Sequence, residues 1–321
     1  MSLRTAAAAL VAAALASLSV PAAAQDKYPS RPITIVVGFA AGGAGDVTAR
    51  LAAEFAREKR GATVNVEFRP GAGATLATGQ VARARPDGYT LSLFAGSPFY
   101  AAPHLQKVAY DPSKDFTYVV TMVGISNAVY VKADSPFKSF SDVIAFARAN
   151  PGKLRWGTAT MRSTAQITAE AAFRKEGVKT ALVPFGGGSE ALTAVIGGHI
   201  DMAVSSDYGP QLDAGNVRLL AETGSTKVPG MPQVPTFREL NYPISTTTTY
   251  GIFGPAGLPK DVVAWWESLI RELMDTPAYA TTVKNMRFTP YYEDSATFTR
   301  NAIDAYHRYG QAIESLGLKP Q

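Results

Sequence analysis

Short apolar runs alternate with amphipathic stretches along most of the chain. Ile33-Thr34-Ile35-Val36-Val37 is a compact β-branched run, followed by a Gly/Ala loop from Gly38 to Gly45 and a helical pattern from Asp46 to Arg60. That order is the opening of a parallel βαβ unit. The same spacing predicts a strand over Thr63 to Phe68, a helix over Thr75 to Arg85 and a strand over Tyr89 to Phe94. These strands read as nearly continuous apolar runs, as strands buried on both faces do. The grammar recurs further on, with helices over Ser139 to Ala149, Ser163 to Glu176 and Ser189 to Ile196. Strands over Leu154 to Gly157, Ala181 to Pro184, Ile200 to Val204 and Val217 to Ala221 separate and follow them. The fold class is therefore α/β.

Two βα runs separated by changeovers suggest two lobes. The first changeover is the β-rich passage Phe116 to Val131, and the second is Ser245 to Phe253, where four threonines precede Tyr250-Gly251-Ile252-Phe253. A chain that crosses at both places has lobe 1 over 25–128 and 249–321, and an inserted lobe 2 over 129–248. Its C-terminal helices, Asp261 to Met274, Pro277 to Asn285 and Ser295 to Leu316, then return to lobe 1. Two crossings make a hinge, and a hinge implies a cleft that closes on a ligand.

The first residues fall outside this pattern. Arg4, the Ala/Leu/Val stretch from Ala6 to Val20 and Pro21-Ala22-Ala23-Ala24 read as a secretory signal over 1–24, cut after Ala24. The expectation is export to the periplasm as a soluble chain, because no other stretch reaches the ~20 apolar residues a membrane span needs. Composition then narrows the chemistry. The 321 residues contain no Cys and three His, which excludes thiolate metal sites and thiol catalysis. The formal charge of +5 is spread without a Lys/Arg run, so a nucleic-acid partner is not expected.

Candidate chemistry lies in loops at the carboxyl ends of strands, where open α/β sheets bind ligands. Between the first strand and helix, Phe39, Ala41, Gly42, Gly43 and Asp46 belong to a loop whose backbone N–H groups and helix dipole favour an anion. Its glycines follow neither G-x-G-x-x-G nor a Walker A order, so the loop reads as a small-anion cradle or as a structural turn. Asp46 reads first as a helix N-cap and second as a ligand contact. Ala95-Gly96-Ser97 follows the third strand, and Thr158, Ala159, Thr160, Arg162, Ser163 and Thr164 follow Trp156-Gly157. Gly187 and Asp207 lie in two further loops of this kind. Together these positions are rich in hydroxyl and N–H donors and poor in acids, which suits a carboxylate. Arg162 reads either as a bidentate partner for a second carboxylate or as a solvated arginine at a helix start. No metal, cofactor or catalytic constellation emerges: His104, His199 and His307 have no ligand spacing, and Gly96-Ser97-Pro98 fails G-x-S-x-G. Ser97 and Asp207 are the two candidates an enzymatic alternative would have to use.

Several segments occur in a telling order. They are Tyr28-Pro29-Ser30-Arg31-Pro32-Ile33, Gly42-Gly43-Ala44-Gly45-Asp46, Arg69-Pro70-Gly71-Ala72-Gly73, Pro86-Asp87-Gly88-Tyr89-Thr90 and Tyr110-Asp111-Pro112-Ser113-Lys114-Asp115-Phe116. Asn150-Pro151-Gly152-Lys153-Leu154, Val183-Pro184-Phe185, Gly197-Gly198-His199-Ile200-Asp201 and Val234-Pro235-Thr236 continue it. The chain thereby resembles the Bug family, the periplasmic solute-binding proteins of tripartite tricarboxylate transporters. The resemblance implies a two-lobed periplasmic binding protein fold of type II-like, Venus-flytrap form. It also implies a monomer that captures a mono-, di- or aromatic carboxylate and a two-subunit membrane permease as partner; a signalling sensor as partner is the alternative. It places one ligand carboxylate at Phe39 to Gly43 with Asp46 and at Ala95 to Ser97, and the rest of the ligand at Thr158 to Thr164. Two departures qualify this. The family's usual Pro-Pro-Gly-Gly is Ala40-Ala41-Gly42-Gly43, and its Gly-x-Gly-Thr/Ser segment is Thr160-Met161-Arg162-Ser163-Thr164.

Overall fold

The chain builds two sheets and passes between them twice. A computed structural model describes residues 27–224, 226–244, 248–315 and 317; the signal segment read over 1–24 lies outside the described residues. Strands β1 (Ile33–Val37), β2 (Val64–Phe68) and β3 (Thr90–Phe94) pair in parallel. The same sheet continues through β10 (Thr248–Pro255), β4 (Phe116–Ile125) and the short β11 (Thr289–Pro290), all paired antiparallel, in the order β11-β4-β10-β3-β1-β2. The second sheet has the order β7-β6-β8-β5-β9. It comprises β5 (Ala128–Lys132), β6 (Arg155–Thr158), β7 (Ala181–Val183), β8 (Met202–Ser205) and β9 (Val217–Glu222).

The passage Phe116 to Val131, read from sequence as one β-rich changeover, is two strands in different sheets. Only Ser126 and Asn127 separate β4 from β5. The chain returns after β9, and the pairs Thr248↔Ile125 and Ala128↔Glu222 place the two crossings side by side. Thr223 donates to the Asn127 carbonyl from its N–H and its Oγ1, both at 2.8 Å. Residues 245–247 of the second passage lie outside the described residues.

Helix α1 (Ala44–Arg60) covers the first sheet beside β2, and Gly61 closes it in the left-handed region at φ 64°. Helices α2 (Thr75–Ala82), α8 (Lys260–Met274) and α10 (Ser295–Ser315) also pack on this sheet, while α9 (Pro277–Met286) touches both α1 and the second-sheet helix α7 (Gly209–Asp213). The core beneath α10 is aromatic: Phe94 meets Phe298 at 4.8 Å and Phe99 meets Phe253 at 4.9 Å between ring centroids. On the second sheet lie α4 (Phe140–Ala149), α5 (Thr164–Lys175) and α6 (Gly188–Ile196). Ser139 and Asp142 form a reciprocal capping box at the start of α4. Trp156 is fully buried there, and its indole N–H donates to Thr180 Oγ1 at 2.9 Å.

After β3 the chain takes a π-helical turn over Ser97–Ala101 that runs into α3 (Ala102–Leu105). A further apolar cluster forms there from Ala101, Leu105 and Ile313 with Ile167 and Ala171 of α5 and Ile244. It joins the helices of one sheet to a helix of the other.

Candidate functional site

The carboxyl ends of β1, β3, β6 and β8 meet face to face. On the first sheet, β1 ends at Val37, and the loop reaches α1 through Gly42, whose φ of +82° suits glycine, and Gly43, the N-cap. Asp46 is not the cap. It sits in the first turn of α1, where its Oδ2 accepts the Gly42 N–H at 2.8 Å and its Oδ1 accepts Arg50 Nε at 2.5 Å. The correction has a simple cause: glycine at 43 takes the extended N-cap conformation without help from a side chain, so the carboxylate reaches back from inside the helix.

Other N–H groups of this loop are already in use. Ala44 N–H donates to Oδ1 of Asp207 at 2.7 Å, across from the end of β8. Ala40 N–H donates to the Gly186 carbonyl at 3.3 Å, and Ser189 Oγ donates to the Ala41 carbonyl at 3.3 Å. The backbones approach so closely that side chains would not fit. A Cβ on Gly43 would stand 2.7 Å from Asp207 Oδ1, one on Gly187 would stand 2.8 Å from Ala40 Cβ, and one on Gly188 would stand 1.6 Å from Asp207 Oδ2. Asp207 is thus wedged between the N-termini of α1 and α6, one from each sheet. Burial raises its pKa above the ordinary carboxylate value, against the lowering effect of the Ala44 N–H and the Ser205 hydroxyl. Ser205 Oγ is itself paired with Tyr130 at 2.9 Å.

A second patch is made of hydroxyls. Ser97 Oγ accepts the Thr164 N–H at 3.2 Å, linking the loop after β3 to the start of α5. Ser163 caps α5 by accepting the Gln166 N–H at 3.1 Å, and Thr158 Oγ1 donates to the Thr160 carbonyl at 2.7 Å. Ser97, Thr158, Thr160, Ser163 and Thr164 are all buried. Gly96 N–H donates to Thr248 Oγ1 at 3.1 Å, so the first residue of β10 completes the floor beside Ala95. Phe39 and Ala159 line their loops half-buried.

Arg162 adopts φ 56°, an uncommon conformation for a side-chain-bearing residue. Its N–H donates to Gln166 Oε1 at 2.5 Å and its Nη1 donates to Gln106 Oε1 at 2.8 Å. Gln106 in turn donates to the Ala72 carbonyl at 3.2 Å. Neither sequence reading of Arg162 anticipated this use as a strut between sheets. Gln106 was not legible as a site residue either, because a lone glutamine after a short helix carries no motif. Gly73 offered more: in a Gly71-Ala72-Gly73 turn, it lies against the Met161 carbonyl, 2.8 Å from where its Cβ would be.

The chemistry of the histidines points elsewhere. His104 stacks on Tyr306 at 4.4 Å and pairs with the Tyr306 carbonyl at 2.9 Å, and burial lowers its pKa. Among the described residues no group of three or more His, Cys, Asp or Glu side chains is placed to hold a metal ion.

Two α/β sheets joined by paired crossings, with strand-end loops facing one another, define a binding protein of the two-lobed kind. Residues 48–318 match the family described as tripartite tricarboxylate transporter family receptor (TctC), and the chain belongs to that family. It is 36% identical, over 95% of its length and 94% of the relative's, to the UPF0065 protein in the gbd 5' region of Cupriavidus necator. Among solved structures it is similar to the periplasmic binding protein BugD (TM-score 0.85, 27% identity, 92% of this chain and 100% of that one). It is also similar to MatC from Rhodopseudomonas palustris with bound malate (TM-score 0.83, 28% identity, 89% of this chain and 100% of that one). The resemblance drawn from the sequence motifs is thereby borne out, as is the periplasmic binding protein fold.

Proposed function

We propose that the protein captures a small organic carboxylate in the periplasm and delivers it to a two-subunit membrane permease. The observation that carries the reading is the meeting of the β1 and β3 loops with the β6 and β8 loops. The N-terminus of α5 and the buried hydroxyls of Ser97 and Thr164 converge there from two sheets. The malate held by MatC supports a carboxylate as the ligand class. In this reading the lobes are 25–128 with 249–321, and 129–248, hinged at Ser126-Asn127 and at the passage from β9 to β10. Ligand contacts come from Phe39, Ala41, Gly42 and Gly43, from Ala95, Gly96 and Ser97, from Thr158 to Thr164, and from Gly187. The ligand bridges both lobes and shifts the population toward the closed form, which the permease distinguishes from the open one. The protein acts as a monomer and performs no chemistry. Ser97 and Asp207, the candidates for catalysis, each accept a backbone N–H from a different partner, Thr164 and Ala44.

Thermal unfolding against a panel of mono-, di- and tricarboxylates and aromatic acids tests the reading, because a ligand that binds only the native state raises the melting temperature. A rise with at least one acid and with no matched amine or sugar is expected. No response to any acid overturns it. Export is checked separately by the intact mass of periplasmic protein, which should begin at Gln25.

A further inference from the structure

We propose that Asp207 sets the specificity of the cleft: the end of the ligand that faces α1 and α6 is an uncharged or cationic group, and a carboxylate there is rejected. The inference rests on the carboxylate-capture reading and narrows its ligand class. The loop after β1 looks from sequence like the natural seat of an anion, yet the protein brings its own. Asp207 Oδ1 takes the Ala44 N–H at 2.7 Å, Asp46 takes the Gly42 N–H at 2.8 Å, and the Gly186 carbonyl takes the Ala40 N–H at 3.3 Å.

The two acids are not equivalent. Asp46 is neutralised by Arg50, whose Nε lies 2.5 Å from it. Asp207 forms no ion pair with any Lys, Arg or His of the described residues, so the Ala44 N–H at the start of α1 and the Ser205 hydroxyl are what offsets its charge. The room for it is built in, since Gly43 and Gly188 leave the volume in which a Cβ would meet its oxygens at 2.7 and 1.6 Å. A second carboxylate brought to the same helix ends would compete for the same donors and repel the first in a site of low dielectric. The buried hydroxyls of Ser97, which only accepts the Thr164 N–H, and of Thr164 carry no charge and form the end for the ligand's single carboxylate.

The test uses acids of equal carbon number that differ only at the far end: n-alkanoates, ω-amino acids and α,ω-dicarboxylates of three to eight carbons. Calorimetric titration of the wild-type protein is expected to rank the ω-amino acid and the alkanoate above the dicarboxylate of the same length, by about tenfold or more. Asp207→Asn keeps the acceptor for Ala44 and removes the charge, and should shift that ratio about tenfold toward the dicarboxylate. Asp207→Ser provides the same neutral test should the Asn variant fold poorly. Dicarboxylates preferred by the wild type, or a ratio unchanged in both variants while acids still bind, would overturn the inference and leave the parent reading standing. Failure of every acid in the series to bind wild type and variants would overturn both.

Discussion

Glu222 accepts a hydrogen bond from Ser126 Oγ at 2.9 Å, and its other oxygen accepts the Gly224 N–H at 2.6 Å. One carboxylate therefore ties the outgoing crossing to the returning one. It is 2% exposed, and burial pushes its pKa from the ordinary 4.5 up to about 7, against the two hydrogen bonds. The folded protein thus holds a proton at Glu222 more tightly than the unfolded chain does. The stability this contributes is fully present below about pH 4.5 and is lost as pH rises through about 7. A change of this size corresponds to on the order of 3 kcal/mol. Tyr208, buried with its hydroxyl toward Ser126 and Glu222, and Arg287 are the other polar groups on this side of the crossings. Glu222→Gln should match the wild-type melting temperature at pH 5 and exceed it at pH 8. Parallel melting curves against pH for the two proteins would reject the assignment.

Gly188 opens α6 where Asp207 leaves no space for a methyl group. Gly188→Ala, ordinarily favourable in a helix, is expected to cost about 1–3 kcal/mol in thermal or urea unfolding through overpacking. The double variant with Asp207→Ala should lose less than the sum of the two single variants. Strict additivity would mean that the collision relaxes elsewhere.

Arg162 and Gln106 form a polar strut between the sheets, and its worth is measurable as a coupling. Arg162→Ala, Gln106→Ala and the double variant should give an interaction energy of about 0.5–1 kcal/mol in unfolding. The affinities for a dicarboxylate and its monoacid analogue should fall together. A loss confined to the dicarboxylate would assign Arg162 to a second carboxylate of the ligand.

Phe298 is 1% exposed and stacks edge-on against Phe94 and Tyr118 under α10. Phe298→Ala should cost about 3–5 kcal/mol, the range for emptying a buried aromatic site. A loss under 1 kcal/mol would show that the aromatic core collapses to fill the space.

The elements were legible because their signals are local. β1 spans Ile33–Val37 as its β-branched run predicts, and α4 starts after Ser139 where the cap stands. The lobe boundary drawn after residue 128 falls one residue past Asn127, but the division of Phe116 to Val131 into two strands was not legible, since apolar and β-branched residues flank Ser126-Asn127 on both sides and the two polar residues make no turn motif. α1 begins two residues before the Asp46 predicted to open it, because a glycine N-cap leaves no side-chain signature. The site was readable as a set of strand-end loops and not as a network. That the first loop's donors would be met by Asp207 and Gly186 depends on contacts across more than 140 residues of chain, and periodicity carries no information about which distant group arrives.

The apolar cluster of Ala101, Leu105, Ile167, Ala171, Ile244 and Ile313 gives the jaws a stitched edge. Prising it open would wet all six side chains, at about 25 cal/mol for each Å² bared. The contact of the glycine loops is fastened instead by a few hydrogen bonds that water replaces at little cost. In the proposed receptor the lobes would therefore part first at the glycine loops, with the apolar cluster the last contact to give.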